Sequence, residues 1–212
     1  MSGARPPAGR PSDAAILRAL LASDWAVIAA VTAGAGLIGY LILDPMAALF
    51  AFVFAALAVT VAAADTRLLL IPDALSLALF VVGLAGTTLL AVFDADPFGF
   101  SEAWWMTPAL GASGAILAAA ILWAIRWLWF RVRGVEAIGF GDVKLAGALG
   151  AWLGPVELFY AFLVASLAGL LLVLFGRRFN VPAIAARQDN ARLPFAALLA
   201  PAAWLVFTLG RM

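Results

Sequence analysis

A carboxylate and an amine stand two residues apart in a mostly apolar stretch, Gly134 to Gly154, reading GVEAIGFGDVKLAGALGAWLG. Asp142 follows Gly139-Phe140-Gly141, and Lys144 is the only lysine in the chain. An ionisable group at a membrane boundary is expensive unless it is partnered, so it marks a candidate site. The two glycines remove side chains just before the carboxylate. They free the backbone for unusual angles and let an extended peptide come close. Asp142 as a plain helix cap, with glycines that only pack helices, explains the same residues structurally.

A second carboxylate makes hydrolysis feasible. Asp65 ends the apolar run AVTVAAAD and is followed by TRLLLIPD. Pro72 closes that connection, and Asp73 is placed to cap the next helix. Asp65 has no such role, because it stands at the C-terminal end of its helix, where the dipole disfavours a carboxylate. Two aspartates at one membrane depth on different helices make a proton-sharing dyad, since like charges a few ångströms apart cannot both ionise cheaply. One carboxylate then activates water while the other protonates the leaving amine. The expected helix ends make Asp142 the resting base and Asp65 the holder of the shared proton.

The residue inventory narrows the alternatives. The sequence has no histidine and no cysteine. That excludes histidine-dependent serine proteases, thiol nucleophiles, disulfides and zinc sites of the H-E-x-x-H or four-cysteine kind. No metal, cofactor or nucleic-acid partner is expected. A Ser-Lys peptidase would need Lys144 beside Ser76, Ser113 or Ser166, none of which lies in a recognisable motif.

These residues must be positioned by membrane helices. The chain of 212 residues is 66% hydrophobic and 12% charged, about half the charged share of a soluble domain. Its apolar runs predict an all-α polytopic membrane protein with about seven spans, near 26–43, 46–64, 74–93, 108–130, 142–153, 156–175 and 193–210. The 142–153 piece is too short to cross a bilayer alone and must be sheltered by protein. Gly154-Pro155 breaks the chain after it. Residues 1–24 read as a cytoplasmic tail, 25–45 as an additional helix and 46–212 as the main membrane domain. With the N-terminus inside, every basic residue of the 13 except Arg211 falls on the inner side, whereas 94–107 carries only acids. Trp104, Trp105, Trp123, Trp127, Trp129 and Trp152 lie near predicted span ends, as an interfacial belt would. Gly34, Gly36 and Gly39 match a dinucleotide fingerprint but lie within an apolar span, where they predict helix packing.

The ordered set of motifs resembles the type IV prepilin peptidases, the aspartic membrane proteases that process pilins and pseudopilins. The matching pieces are DTRLLLIPD at 65–73, GVEAIGFGDVKL at 134–145, GAWLG at 150–154 and LPF at 193–195, in order over about residues 46–210. The resemblance implies that Asp65 and Asp142 are the catalytic pair, supported by Gly139, Gly141, Pro72 and Asp73. It implies a six-helix core, with the first span additional. It implies an active site facing the cytoplasm of a bacterial or archaeal cell, in the cytoplasmic membrane, with prepilin or pseudopilin leaders, lipids and pilus or secretion assembly proteins as partners. Family leaders carry basic residues before the cut and a glutamate soon after it. Glu136 could then receive a leader cation, and Lys144 or Arg133 the glutamate.

Many family members also carry a four-cysteine zinc module with N-methyltransferase activity. A chain without cysteine looks like the compact peptidase-only branch found with tight-adherence (Flp) pili, and methyl transfer is not expected. Presenilin-like proteases share G-x-G-D but place Pro-Ala-Leu after it; here Pro108-Ala109-Leu110 precedes it. A transporter would also explain intramembrane carboxylates, but it would usually show internal repeats, and the acids here cluster at one face.

Overall fold

The computed structural model describes residues 12–68, 70–92, 105–135, 138–178 and 195–212, and all regular structure among them is helical. The helices are α1 (Asp13–Ile42), α2 (Pro45–Leu68), α3 (Asp73–Val92), α4 (Met106–Arg133), α5 (Phe140–Arg178) and α6 (Phe195–Leu209). Gly154, at φ 68° and ψ −177°, interrupts α5. The positive φ is open to glycine at little cost, and Pro155 restarts the helix where its missing N–H matters least. Each expected span therefore has a helical segment. Five of the helices are long and apolar enough to cross a membrane, and α6 is a shorter apolar helix. This is a multi-pass membrane protein.

α1 begins at Asp13, with Ser12 Oγ accepting from Ala15 N–H, so its first turns lie within the stretch assigned to the tail. Further along, two of the three pattern glycines in α1 pack helices, whereas a Cβ on Gly34 would meet nothing within 4 Å. A Cβ on Gly36 would strike the Phe52 ring, and one on Gly39 would touch Ala51.

The 140–153 segment is the centre of the bundle. Leu145, Ala146, Leu149, Ala151, Trp152 and Leu153 are all fully buried, which is the shelter that its length requires. Small residues let α4 lie against it: a Cβ on Gly111 would meet Ala151 O at 2.8 Å, and one on Gly114 would meet the Gly154 backbone at 2.6 Å. Without a hydrophobic drive between helices in lipid, close backbone contact of this kind holds them together.

Trp152 departs from the expected interfacial belt. It is 0% exposed, stacks on Phe54 at 4.5 Å and meets Phe207 edge-on at 5.4 Å. Its Nε1–H donates to Leu79 O at 2.7 Å, and Gly83 makes room for its ring. The segment that ends at Gly154 is enclosed by the bundle, so Ala151, Trp152 and Leu153 face protein and not the membrane surface. Trp105, Trp123, Trp127 and Trp129 are exposed. Trp104, the acidic stretch 94–104 and the basic stretch 179–192 lie outside the described residues.

Candidate active site

Chain direction brings the C-terminal end of α2 and the N-terminal ends of α3, α5 and α6 to one end of the bundle. Asp65 lies in the last turn of α2 and is 6% exposed. The N–H of Ala197, in the first turn of α6, donates to Asp65 Oδ2 at 3.1 Å. The dipole that opposes a carboxylate at the end of α2 is thus met by the positive end of a second helix. Helix ends therefore do not distinguish the two aspartates, and the expected division into resting base and proton holder loses its basis. Sequence reasoning missed this contact because α6 follows Asp65 by more than a hundred residues.

Asp142 is half-buried in the first turn of α5. Its carboxylate accepts from the Gly139 N–H, and its own N–H donates to Gly139 O at 3.2 Å. This is the returning half of a capping box, so the capping reading is correct as local structure. It does not exhaust the residue: Asp142 stands at the same end of the bundle as Asp65, near enough for the two charges to interact.

The two motif glycines serve by their small size. Among the described residues, only Gly134 and Gly154 have positive φ, so the unusual angles expected at Gly139 and Gly141 are not used. A Cβ on Gly139 would press on Asp142 Oδ2 at 3.3 Å, and one on Gly141 would touch Ile71 at 3.4 Å. Gly139 thus leaves the carboxylate its space. Gly141 lets the start of α5 lie against the Ile71-Pro72 connection, both residues of which are buried.

The remaining candidates divide. Asp73 starts α3, but its Oδ1 pairs with Lys144 Nζ at 2.9 Å, and Asp13 Oδ2 accepts from Ala74 N–H at 2.9 Å. Asp13 of α1 thus supplies one cap at the start of α3. Lys144 Nζ also lies 4.8 Å from the centre of the Phe140 ring, and Ser113 Oγ is bonded to Leu110 O. Arg133 stands at the exposed end of α4 over the Trp129 ring. Glu136 lies outside the described residues. Arg126, read from the sequence only as one inner charge among several, donates from Nη1 to Ile138 O at 2.9 Å and ties α4 to the entry of the G-x-G-D turn.

The type IV leader peptidase family matches residues 52–174, the stretch that contains both aspartates and the G-x-G-D turn. The chain belongs to that family. Similar curated proteins are prepilin leader peptidase/N-methyltransferases. The one from Xanthomonas campestris pv. campestris is 32% identical over 76% of this chain and 50% of its own length. Those from Burkholderia pseudomallei (38% identical, 58% and 36%) and Dichelobacter nodosus (30% identical, 79% and 51%) are similar too. The chain spans about half the length, or less, of these relatives. No solved structure matches it. The matched stretch carries both carboxylates of the gathered end, Asp65 in the last turn of α2 and Asp142 in the first turn of α5.

Proposed function

We propose that this leader peptidase family member is an aspartic endopeptidase that removes the leader of type IV prepilins or pseudopilins, with Asp65 and Asp142 as the catalytic pair. The observation that carries the reading is the placement of these carboxylates at one end of the bundle, one at the end of α2 and one at the start of α5, near enough for their charges to interact. One activates water and the other delivers a proton to the leaving amine. Asp65 is oriented by Ala197 N–H and Asp142 by Gly139 N–H. Gly139, Gly141, Pro72 and Asp73 shape the approach, and Glu136, Lys144 and Arg133 hold the leader and the residues after the cut.

The reading places the gathered end at the cytoplasmic face of a bacterial or archaeal inner membrane, the side favoured by the basic residues. Residues 1–24 lie at that face, 25–45 add a membrane helix, and 46–212 form the peptidase. The lack of cysteine supports the peptidase-only, tight-adherence-like branch without N-methyltransferase activity. Membrane lipids and pilus or secretion assembly proteins are its surroundings.

The test is co-expression with a candidate prepilin, scoring leader loss. Asp65→Asn and Asp142→Asn should each abolish cleavage at unchanged membrane level. Substantial turnover by either variant refutes the assignment.

A further inference from the structure

The family match begins at residue 52, so α1 lies outside it. Yet the first half of α1 is laid along the end of α2 that carries Asp65. Ile16 and Leu20 are buried against Ala64, the residue before Asp65. Asp13 caps the start of α3 through Ala74 N–H. Between these contacts and the lipid-facing remainder of α1 stands Asp24, a carboxylate only 8% exposed. Both of its oxygens are engaged: Arg67 Nη2 pairs with Oδ1, and Ser23 Oγ donates to Oδ2 at 2.8 Å.

Arg67 is two residues beyond Asp65, in the last turn of α2. That turn has no following helical turn to hold it, because the α2–α3 connection begins after Leu68. A cleft of about 310 Å³ opens beside it, lined by Asp24, Thr66, Arg67 and Ala197 among others. Ala197 at the rim is also the residue whose N–H holds Asp65. The end of α2 therefore borders open space on the α1 side, and the described charged contact across that space is Asp24–Arg67.

With the Arg67 side chain 62% exposed, the pair adds little stability, because solvent screens the attraction. It does fix geometry. We infer that α1 is a working part of the peptidase site and that Asp24 is a positioning residue: through Arg67 it holds the last turn of α2 so that Asp65 faces Asp142. A dyad tolerates little misplacement, and a shift of about 1 Å can cost about a hundredfold in rate. Asp24 acts on the dyad through Arg67, so its effect belongs in kcat.

This inference rests on the proposed peptidase reading for its kinetic arm only. The experiment uses the full chain in proteoliposomes, comparing wild type, Asp24→Asn, Arg67→Gln and the exchanged pair Asp24→Arg/Arg67→Asp. Each single variant should lose about tenfold to a hundredfold in kcat on a prepilin, with KM within about twofold. The exchanged pair should recover most of the loss. Amide hydrogen exchange at residues 62–68 should rise in the single variants and return in the exchanged pair, and this readout needs no substrate. Should Asp24→Asn fail to insert, Asp24→Glu, which keeps the charge, should retain wild-type exchange, and Arg67→Gln carries the kinetic arm. A raised KM at intact kcat, or unchanged exchange in the single variants, overturns the inference. A wild type that cleaves no prepilin while exchange responds as expected sinks the peptidase reading and leaves the coupling of α1 to α2 standing.

Discussion

Gly150→Ala tests whether the packing of one helix sets the geometry of the dyad. A Cβ at Gly150 would lie 2.5 Å from Gly114 C and 2.6 Å from Ala115 N. Both are backbone atoms of α4, so no side chain can swing away. Ordinary contact begins near 3.4 Å, so α4 and the 140–153 segment must part by about 1 Å. Overpacking of this kind costs about 1–3 kcal/mol. The displaced segment carries Asp142 in its first turn, whereas Asp65 is bonded to α6. The shift therefore falls between the carboxylates, and a misplacement of about 1 Å predicts a loss of up to about a hundredfold in kcat. Gly34→Ala is the control, since a Cβ there meets nothing within 4 Å. The assay is single-turnover cleavage of a prepilin in proteoliposomes, with thermal unfolding followed in detergent. Wild-type rate and wild-type melting in Gly150→Ala would refute the packing argument. Lowered melting at full rate would show that this segment does not set the position of Asp142.

Three further outcomes are expected. Ala197→Pro removes the N–H that serves Asp65 at a first-turn position where proline is tolerated. With a hydrogen bond to a charged group worth about 1.5–3 kcal/mol, kcat should fall about tenfold to a hundredfold, and an unchanged rate would show that the bond is dispensable. Lys144→Met breaks the pair with Asp73, whose side chains are 34% and 53% exposed. Stability should change by less than about 1 kcal/mol while KM for the leader rises; unchanged KM would remove Lys144 from the substrate contacts. Single cysteines at Gly134 and Asp96 should label from opposite sides of the membrane, and same-side labelling would break the proposed topology.

The run of apolar segments was legible in the sequence because each helix must satisfy its own backbone in lipid, a local requirement that composition records directly. The break at Gly154-Pro155 and the crowding at Gly36 and Gly39 were legible for the same reason: each follows from the chemistry of a residue and its near neighbours. Asp65 and Asp142 stood out because a carboxylate in an apolar run needs a reason. The sequence carried the capping role of Asp142 but no sign of what meets Asp65. The N–H of Ala197 at Asp65 is a backbone group, and any residue but proline supplies it, so no side chain marks it. The same holds for Ala74, whose N–H is capped by Asp13 from α1. Trp152 looked interfacial because tryptophan favours that depth; only the enclosure of its segment by the bundle puts it against Phe54 and Phe207. Likewise Asp24 and Arg67 are unremarkable charges until α1 is laid beside α2. Periodicity and residue chemistry specify each helix alone, but which ends meet depends on how all the helices pack at once.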